Sequence, residues 1–269
     1  TAPVLAALFA GGLSLGLEAV QSWLPSRVPS NVDLACNALG GMLGALLAQW
    51  SGPRLFNRIA AWQNRLLAPV AHAELGLTLI GLWLLIPLSP EILLFGAGDL
   101  RQALGLGGAV PFAAESFALI EASVTAFNAV AAGLVARQLC RGTMQAYVVV
   151  PALILLALLV RTLAAAILDA PGQAFAWLTP GSELGLLAAA IILLVTLPLP
   201  APARTVIAAL ALMAGTVLVN LAPSNPYSAA ALAVWRQGHF LNFNGLTRLI
   251  GILWPFLTLP FLLLASRRP

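Results

Sequence analysis

One stretch of this sequence gathers side chains that can do chemistry at close spacing. It runs from Leu17 to Gly44 and reads LEAVQSWLPSRVPSNVDLACNALGGMLG. Glu18 and Gln21, three positions apart, share one helix face. Pro25 and Pro29 force a tight, extended turn, and Arg27 lies between them. Ser30 or Asn31 caps the next helix, Asp33 falls in its first turn, where negative charge is favoured, and Asn37 follows one turn on. Gly40, Gly41 and Gly44 let that helix pack closely through small residues. A hairpin of this kind brings Glu18, Gln21, Arg27, Asp33 and Asn37 toward one end. An arginine held among carboxylates and amides can grip an anionic or polar head group bidentately. The same groups can equally serve only to tie the hairpin together.

A second polar group follows an apolar run late in the chain: Asn220-Leu-Ala-Pro-Ser-Asn-Pro-Tyr, then Trp235-Arg-Gln-Gly-His-Phe-Leu-Asn-Phe-Asn-Gly. Arg236, His239, Asn242 and Asn244 can meet a sugar or phosphate head group, while Tyr227, Trp235 and Phe240 suit a membrane interface. Aromatic anchoring is the simpler reading. No Ser, Cys or carboxylate is spaced to make His239 catalytic. With only Cys36, Cys140, His72 and His239 of the soft ligand types, no metal-ligand spacing arises and no cofactor is implied.

Two further charges stand alone inside apolar runs. Glu121 and Arg161 are each 20 positions from Arg141, the centre of the turn between their helices, so they lie at similar depth (141 − 121 and 161 − 141). An isolated charge at the centre of a bilayer costs at least about 2.5–3.5 kcal/mol on insertion scales. The expectation is therefore that Glu121 and Arg161 face each other as an intramembrane ion pair, or share a polar cavity.

The elements that position these groups follow from composition. Hydrophobic residues make up 61% of the 269, charged residues 8%, and mean hydropathy is +0.97. Soluble domains carry roughly 25% charge, so this surface cannot be covered for water. Disorder is excluded by the same numbers. Runs long enough for a bilayer lie near 2–20, 33–50, 74–89, 113–139, 143–168, 183–200, 204–222 and 246–265. They are continuous rather than alternating, which excludes a β-barrel. The expected fold is an all-α polytopic bundle of about eight spans with one interfacial amphipathic helix. That helix is expected in residues 51–70, with Arg54, Arg58 and Arg65 on one face and Leu55, Ile59, Trp62 and Leu66 on the other. The apolar, Gly-rich piece from Glu91 to Pro111 reads as a short interfacial or re-entrant segment.

All 13 basic residues are arginine, and they sit singly between apolar runs, which speaks against nucleic acid as a partner. They do bear on topology. Arg54, Arg58, Arg65, Arg137, Arg141, Arg204, Arg267 and Arg268 fall on one side; Arg27, Arg101 and Arg236 fall on the other, with Arg248 just inside the last run. The arginine-rich side is expected to be cytoplasmic, which puts residue 1 and the C-terminus there and the proline-rich turn outside. In this topology Cys36 and Cys140 lie near opposite faces and cannot bond.

The Leu17–Gly44 stretch resembles the VanZ-like bacterial membrane protein family, named after a teicoplanin-resistance protein. The pattern is Glu-x-x-Gln, a Pro and Arg in the turn, Asp, then Asn-x-x-Gly-x-x-x-Gly. It is met by Glu18, Gln21, Pro25, Arg27, Asp33, Asn37, Gly40 and Gly44. The resemblance covers roughly residues 1–50, the second half of the family domain; the first helix pair of that domain has no counterpart here, and upstream helices are expected to be missing. Residues 71–269 then form an extension of about six spans. The resemblance implies a non-enzymatic protein of the bacterial inner membrane that binds a lipid-linked or amphiphilic envelope molecule at an extracytoplasmic polar pocket, with membrane lipids as its surroundings. Two other readings stand beside it: a structural or assembly subunit among other membrane protein subunits, and a membrane enzyme using Glu18 or Asp33 as acid/base group.

Overall fold

In a computed structural model of the chain, residues 2–21, 31–66, 68, 72–89, 92–101, 104, 113–168, 171–223 and 244–266 are described. Among them there are eight α-helices, two 3-10 turns and no β-strand. The helices are α1 (Ala2–Gln21), α2 (Asn31–Leu66), α3 (Ala73–Trp83), α4 (Ala114–Leu139), α5 (Thr143–Leu168), α6 (Pro180–Thr196), α7 (Ala201–Leu221) and α8 (Asn244–Ser266). The chain divides into two compact units, Thr1–Arg65 and Leu66–Pro269.

The first unit holds α1 and nearly all of α2. Small residues allow the two to pack: a Cβ at Gly41 would lie 2.8 Å from the Ala10 Cβ and 2.9 Å from the Ala6 carbonyl oxygen, and one at Gly11 would lie 3.5 Å from the Ala38 Cβ. At the same interface Asn37 Nδ2 donates to Ser14 Oγ at 2.9 Å. Most large apolar side chains here face outward, Val4, Leu5, Leu8, Phe9, Leu39, Leu43 and Leu47 among them. The helix expected to be separate over 51–70 is instead continuous with α2, whose 36 residues span about 54 Å. That exceeds a hydrocarbon core of about 30 Å, and the segment bearing Arg54 and Arg58 extends α2 along its own axis. The helix runs without a break through Pro53.

The second unit is built around α4, which packs against α3, α5, α6 and α7, while α8 closes on α7 and α3. Tight turns join α4 to α5 and α6 to α7 at one end of the bundle. Arg137 pins them together there, donating from Nε to the Leu197 carbonyl at 3.1 Å and from Nη1 to the Cys140 carbonyl at 3.2 Å. The core is a band of small and branched residues on α4 (Ala129, Val130, Ala131, Ala132, Leu134, Val135) with Trp83, Phe95, Trp254 and Phe261. The α4–α6 approach is close enough that a Cβ at Gly185 would lie 2.5 Å from the Ala122 carbonyl oxygen. Helix α6 starts where Thr179 and Ser182 form a capping box and Pro180 occupies the first turn.

Four helical segments have the length and apolarity to cross a membrane: Ser116–Leu139, Thr143–Ile167, Ala201–Leu221 and Leu246–Ala265. Among the described residues these are four candidate spans by length and composition, which fits a membrane protein, against the eight expected from the whole sequence. The apolar stretches Ala2–Leu17, Ala73–Leu88 and Pro180–Thr196 fall short of that length. The largest departure is at 74–89. Apolarity continues to Leu88, but α3 ends at Trp83 and a 3-10 turn at Ile86–Leu88, containing Pro87, turns the chain off the helix axis.

Candidate functional site

Residues 89–101, as far as they are described, are non-helical and mostly buried; Ser89, Leu94, Phe95, Gly96, Ala97 and Gly98 are all enclosed by protein. They lie about three turns into α4 and two turns into α8, judged by Thr125 and Gly251, which they touch. Irregular backbone is tolerated at such depth only where protein surrounds it and satisfies its polar groups. Several polar residues of the surrounding helices do that work.

Arg161 on α5 donates from Nη1 to the Ser89 carbonyl and from Nη2 to the Ile92 carbonyl at 2.7 Å. Thr125 on α4 donates to the Leu94 carbonyl at 3.3 Å. Asn220 on α7 accepts from the Leu100 N–H at 2.9 Å through Oδ1 and donates through Nδ2 to the Gly98 carbonyl at 2.7 Å. The Ser89 and Thr247 hydroxyls are 2.6 Å apart. Pro255 explains the last contact. Having no N–H, it leaves the carbonyl of Gly251, four residues earlier, without its usual helical partner, and Gly98 donates its N–H to that oxygen at 2.8 Å. Gly98 is required there: its φ is 83°, and a Cβ would lie 2.7 Å from Thr216 Cγ2 and 3.1 Å from Pro255 Cγ. Phe95 also adopts a left-handed conformation, φ 59°. Such strain costs about 1–3 kcal/mol, and the ring is held in place against Trp83 with centroids 5.0 Å apart.

Asp99 and Arg101 close the segment. Arg101 bonds Asp99 through Nε at 2.9 Å and Nη2 at 2.6 Å and reaches the Ala222 carbonyl with Nη1. The bond to Asp99 raises the Arg101 guanidinium above its ordinary value, against the opposing effect of burial. A raised cation stabilises the fold below its ordinary pKa and loses that effect only as pH climbs through the raised one, so the Arg101 guanidinium stays charged throughout the working range. Its members are 18% and 30% exposed, which makes it a modest contributor.

Glu121 is 9% and Arg161 5% exposed, each about two turns inside its helix. They are within electrostatic range of one another, yet the direct ion pair expected from the sequence is not formed: among the described residues the ion pair within 4 Å is Arg101–Asp99. The guanidinium of Arg161 donates instead to the Ser89 and Ile92 carbonyls. Glu121 instead lies at the first turn of α6, where a Cβ on Gly181 would be 2.5 Å from its Oε2.

Of the hairpin residues, Asn37 faces α1 through Ser14. The side chains of Glu18, Gln21 and Asp33, and the whole of Arg27, Arg236, His239 and Asn242, lie outside the described residues. Backbone placement is known for Glu18 and Asp33: each is one helical turn nearer the connecting turn than Ser14 and Asn37 respectively. Cys36 and Cys140 are both free thiols, and burial pushes the Cys140 thiol up. Among the described residues no three His, Cys, Asp or Glu side chains come together as a metal site would require. The roles of Ser89, Thr125, Thr247 and Pro255 were missed from the sequence. Their signal was there, in lone polar residues and a proline set inside otherwise apolar helices, but single residues do not reveal that they share one target.

No protein-family model, curated protein or solved structure matches the chain.

Proposed function

We propose that the chain is a non-enzymatic envelope membrane protein of VanZ-like type, which binds the head group of a lipid-linked or amphiphilic molecule at the bend between α1 and α2. The observation that carries this reading is the Asn37–Ser14 bond together with the Gly41 contact. It supports a paired α1–α2 hairpin in which the backbones of Glu18 and Asp33 approach the same end. Arg27 supplies positive charge for a phosphate head group. Arginine asymmetry favours the outer face of a bacterial inner membrane for this end.

The second unit supports a binding role over an enzymatic one. Its buried arginines are engaged with backbone carbonyls: Arg137 with Leu197 and Cys140, Arg161 with Ser89 and Ile92, Arg204 with Leu199. Groups so engaged hold the fold and are not poised for acid–base work. The outward apolar face of α1 and α2 favours a second reading, an assembly subunit whose hairpin packs on another membrane protein.

The test is binding of a polyprenyl phosphate by the protein in phosphatidylcholine nanodiscs, read by native mass spectrometry. Retention by the wild type, with at least about a tenfold loss in Arg27→Ala or Asp33→Asn and an unchanged melting temperature, is the expected result. Equal retention by wild type and both variants contradicts it. Co-purification of a stoichiometric protein partner lost on Phe9→Asn, with no retained polyprenyl phosphate, would move the chain to the assembly reading.

A further inference from the structure

The second unit contains an acidic group that its framework does not use. Glu121 lies within the membrane-crossing segment Ser116–Leu139 and is 9% exposed. It makes no ion pair within 4 Å. Arg161, the cation nearest in depth, gives its Nη atoms to the Ser89 and Ile92 carbonyls. The carboxyl is pressed instead onto the start of α6, where Gly181 has no side chain to exclude it.

The first turn of α6 is arranged in a telling way. Pro180 has no N–H to offer. The Ser182 N–H goes to Thr179 Oγ1 at 3.1 Å, and the Glu183 N–H goes to the Thr179 carbonyl at 2.9 Å. The amide outside this cap is that of Gly181, the residue against which Glu121 Oε2 is packed. The Thr179 hydroxyl, which accepts from Ser182, is near enough to Glu121 to offer it a proton in a hydrogen bond. A helix N-terminus carries roughly half a positive charge. Together with the electrostatic reach of Arg161, it can tolerate a carboxylate. Enclosure among Ala118, Ala122 and Gly181, without a contacting cation, suits the neutral acid just as well.

The other charges on the elements packed against α4 are too far along the bundle, or too exposed, to fix the state of this group. Glu183 on α6 is exposed. Glu74 on α3 and Arg204 on α7 belong to the end where the start of α3 meets Leu139 and the start of α7 meets Gln138. Arg137 of α4 is committed at that same end.

We propose that Glu121 is a membrane-embedded proton-binding site, a carboxyl that takes up and releases a proton at the contact between α4 and the first turn of α6. The ligand is the proton itself, and the two states differ by one charge at the closest helix–helix approach in the bundle, where Gly181 and Gly185 meet α4. Proton uptake therefore changes how firmly α6 is held. The inference concerns the second unit and is independent of head-group binding at the α1–α2 bend.

The test uses the full chain in lipid vesicles with dicyclohexylcarbodiimide, an apolar reagent to which a protonated carboxyl adds across a C=N bond without a leaving group. Adduct is located by peptide mass. The expected result is one adduct at Glu121. Labelling is followed across about pH 5 to pH 9 and should fall about tenfold per pH unit above the titration midpoint. Glu121→Gln removes the adduct, Glu183→Gln leaves it, and Glu121→Asp, which keeps a carboxyl if Gln does not fold, restores a pH-dependent adduct. Absence of adduct at Glu121 across that range, or an adduct whose yield does not change with pH, overturns the proposal.

Discussion

The two units handle polarity in opposite ways. Between α1 and α2 a polar contact joins Asn37 to Ser14, set among glycine and alanine, and large side chains such as Phe9 and Trp50 (87% exposed) face outward. In the bundle, Arg161, Thr125, Asn220, Thr247 and the carbonyl freed by Pro255 all converge on one irregular strand of chain, residues 89–101. A buried charge or amide in a membrane helix is therefore not in itself a mark of chemistry. In this chain Arg161 and Asn220 satisfy the backbone of a non-helical segment enclosed among the helices.

Replacement of residues on each side of this contrast should break it with graded force. Arg161→Ala leaves the Ser89 and Ile92 carbonyls without donors, at about 1–3 kcal/mol each. A loss of about 4 kcal/mol is expected, read as the largest drop in melting temperature in detergent, while Glu121→Gln costs much less. If the two cost the same, the charges act as a pair after all. Gly98→Ala meets both a left-handed φ and contacts with Thr216 and Pro255, and should cost about 3 kcal/mol. Asn220→Ala removes an acceptor from Leu100 and a donor from Gly98, for about 2 kcal/mol. Asn37→Ala in the first unit should cost only about 0.6 kcal/mol, the average for such bonds between membrane helices. A larger effect, measured as loss of helix pairing by cross-linking between α1 and α2, would show that the hairpin is held as tightly as the bundle.

Much of the architecture was legible because long apolar runs can do little else. Runs read at 113–139 and 143–168 end within a residue of α4 and α5, and those at 204–222 and 246–265 end within three residues of α7 and α8. The start of α6 was placed three residues late, since Pro180 at a first turn reads as a break when the Thr179 cap is not recognised. The early end of α3 was hidden because hydropathy is blind to direction: Leu84–Leu88 is as oily as a span but turns aside at Pro87. Reading the Glu91–Pro111 piece as interfacial or re-entrant rested on its glycines, and Gly98 at least is there for its φ. The Glu121–Arg161 pairing was inferred from equal depth. Depth says nothing about azimuth around a helix, nor about the backbone carbonyls that compete for a guanidinium.

Hydrogen exchange of the segment's own amides tests the central claim most directly. If residues 89–101 are enclosed and bonded as described, the Gly98 and Leu100 N–H groups, held by Gly251 O and Asn220 Oδ1, exchange as slowly as amides in the middle of α4, and the Leu100 amide is released selectively in Asn220→Ala. Exchange of both at the rate of an open loop in the wild-type protein would contradict the account.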